Sequence, residues 1–205
     1  MTPREILAEA RHIITDTDPS TPRQEDEELL SYLNSGIAAA SVLREDLFLT
    51  TGDLQCQPGT TEQGVGFGDA KRLVDVVRVK NGRAVLPGDL ASLQAFNPDW
   101  GQDAAAAALN WFPYPGDPLR FYIYPQSPNG QVLETKYVRN PTQLTINDLD
   151  TEIADLPPAY RPALVSYVVG ASESKDDEHV LSQRAALHFQ AFTDQMKAGV
   201  PQQGS

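Results

Sequence analysis

Apolar residues recur at three- and four-residue spacing near both ends of the chain and lose that rhythm in the middle. Ile6, Leu7, Ala10, Ile13 and Ile14 trace one face of a first helix. Thr2-Pro3-Arg4-Glu5 starts it, with threonine as cap, proline in the first turn and glutamate three residues on, the composition of a capping box. Asp16-Thr17-Asp18-Pro19 stops it, so the pattern predicts a helix over residues 3–15. Thr21-Pro22-Arg23-Gln24 opens a second helix in the same way. Carboxylates at 25–28 suit its positive end, and Leu29, Leu30, Leu33, Ile37, Ala40 and Leu43 form a stripe toward residue 47.

Helical spacing returns after Leu156-Pro157-Pro158. Tyr160, Leu164, Tyr167, Val168 and Ala171 mark a third helix. Leu181, Ala185, His188, Phe189, Phe192 and Met196 mark a fourth, begun by Asp176-Asp177-Glu178.

Between these helical ends the period is two or absent. Residues 50–68 are polar and glycine-rich. Residues 73–79 and 83–86 read as strands joined at Asn81-Gly82, a strong hairpin turn. Asp89 is a cap for the short run LASLQAF, stopped by Asn97-Pro98. Residues 103–109 (DAAAAAL) favour a helix by propensity, but their flanks allow an extended arm equally. Residues 119–124 and 132–138 alternate as strands about the turn PQSPNG. The expected fold is α+β: a four-helix bundle, helices 1–2 and 3–4, with an inserted small antiparallel β-region. Residues 1–49 and 142–197 would form the bundle, 50–141 the insertion and 198–205 a flexible tail.

Charge and chemistry narrow the function. A formal charge of −12 argues against binding nucleic acid by phosphate neutralisation, which needs clustered Lys and Arg. Solubility alone also explains acidity. Cys56 stands alone, so no intrachain disulfide is expected. The opening MTPREILAEAR has no long apolar run, so no signal peptide is expected, and no stretch of the sequence approaches 18 apolar residues, so no membrane span is expected. His12, His179 and His188 have no second ligand at a zinc spacing. The carboxylate runs are explained by helix starts. Gly64-Val65-Gly66-Phe67-Gly68 lacks the lysine and hydroxyl ending of a phosphate loop. No catalytic residue, cofactor or metal is therefore expected. Trp100, Trp111, Phe112, Tyr114, Phe121, Tyr122 and Tyr124 are either the core of a β-domain with few aliphatics or a face for protein or sugar.

Leu29-Leu30-Ser31-Tyr32-Leu33-Asn34, Pro98-Asp99-Trp100, Leu119-Arg120-Phe121-Tyr122-Ile123-Tyr124-Pro125, Pro158-Ala159-Tyr160-Arg161-Pro162-Ala163-Leu164 and Gln183-Arg184-Ala185-Ala186 before Phe189 together resemble the head-to-tail adaptor (connector, or tail tubular) proteins of short-tailed bacteriophages. The resemblance covers nearly the whole chain. It implies a structural virion protein, not an enzyme, assembled as a homo-oligomeric ring, usually twelvefold, beneath the portal protein. The ring would dock the tail nozzle or tube protein and pass DNA without specific binding. The chain would sit in the virion neck, and in host cytoplasm during assembly. On this reading Trp100, Trp111, Phe112, Tyr114, Val200, Pro201, Gln202 and Gln203 are the candidate interface residues. Another neck or tail-completion protein, or a carbohydrate-binding or hydrolase module, remain the alternatives.

Overall fold

The computed structural model describes residues 1–18, 20–175 and 182–198. The chain divides into two compact units, a helical unit of Met1–Leu47 with Pro141–Ser205 and a β unit of Phe48–Asn140.

In the helical unit, α1 (Pro3–Ile13) begins with the expected capping box. The Glu5 N–H donates to the Thr2 hydroxyl at 3.3 Å, and the Thr2 N–H donates to the Glu5 carboxylate at 3.0 Å. The second start differs from expectation: α2 (Asp26–Leu43) begins after Glu25, which makes no side-chain cap bond. The residues before it are committed to a buried polar knot instead. Asp16 accepts from the Arg23 N–H at 2.8 Å and from the Arg11 guanidinium, which also donates to the Gln24 carbonyl at 2.7 Å and to Asp26 at 2.8 Å. Thr21-Pro22 therefore lies in the turn leading to α2 and not in its first turn.

The hub is α4 (Arg161–Ser174), which packs against α1, α2 and α5 (Ser182–Ala198). Its buried residues Ala163, Leu164, Val165, Val168, Val169 and Gly170 run around the helix and not along one stripe, as its position demands. At Gly36 of α2, a Cβ would lie 3.0 Å from Cδ1 of Tyr167, so the missing side chain admits that ring. Tyr167 then meets Phe189 and Phe192 of α5 edge-on, at 5.3 and 5.0 Å between centroids. At the end of α2, buried Arg44 donates to both oxygens of Asp46 at 2.8 Å, to the Tyr160 hydroxyl at 2.6 Å and to the Met196 carbonyl at 3.1 Å. One guanidinium thus fastens α2, the turn before α4 and the last turn of α5.

The β unit holds two sheets. The first has the order β1-β7-β3, with β1 Leu49–Gln55, β3 Ala70–Val79 and β7 Val132–Arg139, all antiparallel. The second has the order β2-β6-β5-β4, with β2 Glu62–Gly64, β4 Leu86–Pro87, β5 Asn110–Pro113 and β6 Arg120–Tyr124. Within it β4 runs parallel to β5. Leu54, Leu73, Val76 and Leu133 from the first sheet share one core with Trp111, Phe121 and Ile123 from the second. The helix α3 (Leu90–Phe96) also belongs to this unit.

The expected fold class is corrected. Among the described residues there are five α-helices and two sheets with seven strands, a mixed α/β protein and not a four-helix bundle with a small insertion. The expected single antiparallel region fails for a physical reason. Residues 120–124 and 132–139 look like neighbouring hairpin strands. They instead enter different sheets and place Phe121 and Leu133 in the core those sheets share. Alternation reports which side of a strand is buried but not which strand lies beside it. No helix among the described residues is long and apolar enough to cross a membrane.

Candidate interface on the β unit

Strand alternation creates a second aromatic layer behind the core. In β6, Phe121 and Ile123 face the core, which turns Arg120, Tyr122 and Tyr124 to the opposite face. Opposite them in β5, Trp111 pairs with Ile123, and Phe112 pairs with Tyr122. Phe112 is thus on the outer face, and Gly88 lets the backbone pass over its ring, since a Cβ there would come 2.5 Å from Cε1. Trp100, in the short turn Trp100–Gln102, closes over this face. Its ring lies 5.6 Å from Tyr122 at 89° and 6.5 Å from Phe112 at 64°. Tyr114 leans on Tyr122 at 5.1 Å, and the Arg120 guanidinium sits 5.6 Å over Tyr114 while pairing with Glu62 at 2.8 Å. Asp103 pins the covering segment by accepting from the Tyr124 hydroxyl and the Asn97 amide, both at 2.7 Å. That bond pushes the Tyr124 phenol above its ordinary range. Burial, then the neighbouring Tyr114, do the same to Tyr122.

Several apolar residues of this unit are exposed. Leu90, Leu93 and Phe96 share one side of α3, yet none of them is buried, and Phe96 is 92% exposed. Leu86, on the edge strand β4, is 57% exposed. A free helix of this length is unstable in water, so α3 depends on its cap and its attachments. Asp89 accepts from the Ala91 and Ser92 N–H groups at 3.3 and 3.0 Å and hydrogen-bonds the Ser92 hydroxyl, which holds its carboxyl below the usual range. Residues 84–119 contain no Lys or Arg but do contain Asp89, Asp99, Asp103 and Asp117.

The helical unit has the opposite character. It carries eight of the Lys and Arg residues and nineteen of the Asp and Glu, a formal charge of −11, against eight and nine, −1, in the β unit. A cleft of about 760 Å³ between α1, the start of α2 and residues 146–149 is lined by Asp16, Asp18, Glu25, Asp26 and Glu27. Its cations are already engaged, Arg4 with Asp150 and Arg11 with Asp16 and Asp26.

Of the candidate interface residues, Trp111 and Phe112 are 9% and 3% exposed, whereas Trp100 and Tyr114 are half-buried. Val200, Pro201, Gln202 and Gln203 lie outside the described residues, as does His179. Phe96 and Leu86 escaped the reading of the sequence. The cation-free stretch 84–119 and the three-residue spacing of Leu90, Leu93 and Phe96 were the available signals. The GVGFG run is structural: Val65 and Phe67 pack against the core, and Phe67 stacks on Tyr137 at 4.6 Å. Cys56 is buried, which pushes its thiol up. Among the described residues no group of three or more His, Cys, Asp and Glu is placed to hold a metal.

Two comparisons bear on this arrangement. A family model described as SU10 adaptor protein matches residues 1–205. No curated protein matches the chain.

Proposed function

The chain belongs to the SU10 adaptor protein family, and we propose that it is a structural head-to-tail adaptor of a tailed phage virion. Copies form a ring, twelve in number, under the portal protein; the ring extends the DNA channel and docks the tail nozzle protein. The observation that carries the reading is the match over the full chain, in agreement with the resemblance found in its sequence. The protein acts by geometry and charge, without catalysis. Each copy meets the next through two different faces, as a closed ring of identical subunits requires. The half-exposed Trp100 and Tyr114, with Phe96 and Leu86 beside them in sequence and sheet order, supply apolar contact area from the β unit. The segment containing Val200, Pro201, Gln202 and Gln203 contacts the portal.

The charge partition supports a second part of the reading. DNA repels a wall of its own sign, and −11 of the −12 formal charges are carried by the helical unit. Placed on the channel lining, that unit keeps DNA from adhering during packaging and exit. Native mass spectrometry of the purified chain, alone and with portal, tests assembly: a portal-dependent shift to a multi-subunit complex is expected, and a chain that stays monomeric beside portal removes the ring. Changing Glu25 and Glu27, both exposed, to glutamine tests the wall. Slower DNA exit with intact assembly is expected, and an unchanged ejection rate refutes it.

A further inference from the structure

The chain contains two Asn-Gly steps, Asn81-Gly82 and Asn129-Gly130, both in exposed turns of the β unit. An asparagine followed by glycine is open to attack by its own backbone, because no Cβ on the next residue shields the amide nitrogen. The two steps differ in the setting of that nitrogen.

At Asn81 the nitrogen is engaged. The Gly82 N–H donates to the Val79 carbonyl at 2.8 Å, and the Val79 N–H donates to the Arg83 carbonyl at 2.9 Å across the same turn. Asn81 is held between these bonds with φ at +58°. A Cβ at Gly82 would lie 3.4 Å from Cβ of Val79, so one side of this glycine is covered.

At Asn129 the nitrogen is open. Among the described residues the Gly130 N–H has no acceptor and the Asn129 side chain makes no hydrogen bond. A Cβ at Gly130 would meet nothing within 4 Å, so solvent reaches the step. The residues on either side are anchored instead. The Ser127 carbonyl accepts from the Gly59 N–H at 2.8 Å, and the Gln131 carbonyl accepts from the Cys56 N–H at 2.9 Å. The turn thus holds an unbonded amide between two fixed points.

We propose that Asn129 is a site of spontaneous deamidation, and that the hydrogen bond on the Gly82 nitrogen protects the same step at Asn81. Hydroxide removes the Gly130 N–H proton, the nitrogen attacks Cγ of Asn129, and the new N–Cγ bond closes a succinimide ring. The side-chain nitrogen takes up a proton and leaves as ammonia. Water then opens the ring at either carbonyl, giving aspartate or isoaspartate. One water is consumed and one ammonia released, with no change of oxidation state. Either product adds a negative charge to the β unit. Isoaspartate also routes the main chain through Cβ and lengthens it just before Gln131. That residue is buried, and its Oε1 accepts from the Ala108 N–H at 2.9 Å, a bond that ties the chain before β7 to the chain before β5. Modification at Asn129 therefore loosens the β unit.

The purified full chain is incubated in mildly alkaline buffer, native and in urea, and both sites are followed by ammonia release and mass-spectrometric peptide mapping. In the native chain Asn129 should convert about fivefold faster than Asn81, the ratio set by one backbone hydrogen bond of about 1 kcal/mol on the attacking nitrogen. In urea the two rates should converge, since the Val79 carbonyl no longer holds Gly82. A native rate at Asn81 equal to or above that at Asn129 overturns the proposal. So does a preference that survives unchanged in urea, which would belong to the flanking sequence, and so does a native Asn129 that stays intact while the urea-treated chain reacts. Aged wild type should also lose part of its urea midpoint by tryptophan fluorescence. Asn129→Gln aged beside it should keep its midpoint, because the longer side chain closes its ring far more slowly. An unchanged midpoint in modified wild type overturns the loosening, as does an equal fall in Asn129→Gln.

Discussion

Replacing Arg44 by methionine removes one guanidinium and keeps most of the stem. The side chain is 6% exposed, so water cannot readily take over its contacts. The two bonds to Asp46 count for little, because that carboxylate is 61% exposed and rehydrates. The Tyr160 hydroxyl and the carbonyl of fully buried Met196 each lose a donor. Buried acceptors stripped of a charged donor cost about 1–3 kcal/mol apiece, so Arg44→Met should cost about 3 kcal/mol in all. With a urea slope of about 2 kcal/mol/M, the unfolding midpoint falls by about 1.5 M. Both tryptophans, Trp100 and Trp111, lie in the β unit, and four of the five described helices lie in the other. Circular dichroism at 222 nm therefore reads the helical unit, and tryptophan fluorescence reads the β unit. The helical signal should shift by the full amount. Arg44→Lys should recover less than half, since one ammonium cannot reach all three acceptors. Acid adds a check on sign. Arg44 holds Asp46 below the usual carboxylate range, so this stabilisation is present above about pH 4 and is lost as pH falls through the depressed value. The methionine variant should lack that part of the acid limb. A helical midpoint within about 0.3 M of wild type would refute the clasp, since it corresponds to less than 1 kcal/mol.

Gly52→Ala places a Cβ 2.6 Å from Cζ of Phe67 and should cost about 1–3 kcal/mol, read from the tryptophan transition; wild-type stability would mean that Phe67 moves freely off Tyr137. Asp16→Asn weakens the acceptor for Arg11 and the Arg23 N–H and should cost about 2–3 kcal/mol by urea unfolding at 222 nm, with an effect under 0.5 kcal/mol counting against the knot. The Trp111 Nε1 has no hydrogen-bond partner, so Trp111→Phe should cost less than about 1.5 kcal/mol where Trp111→Ala costs about 3–5; equal losses would show that the indole N–H is satisfied. Phe96→Ser should change monomer stability by less than about 0.5 kcal/mol and weaken assembly with portal present, whereas a large melting shift would make Phe96 a folding residue.

Local chemistry was legible where neighbours in sequence decide it. The Thr2–Glu5 capping box, the Asp89 cap and the turn at Asn81, whose φ is +58°, follow from residues within four positions of one another. The same chemistry misled at Thr21-Pro22, because Asp16, Arg11 and Asp26 recruit that segment from outside the local window. The aromatic residues were identifiable as a group. Which of them reach the surface was not, since Trp111 and Phe112 are adjacent in one strand and are buried on opposite faces of it.

The sequence by itself determined that helices flank a β-rich middle and that the charge is overwhelmingly acidic at the two ends of the chain. Periodicity and capping are short-range, so they survive without a tertiary context. Only the tertiary structure decided that the middle makes two sheets and not one, and that β7 pairs on both sides, with β1 and β3 as its neighbours. Strand partners are chosen by burial between residues far apart in the chain. Phe121 and Leu133 read as neighbours in a hairpin and become opposite walls of one core.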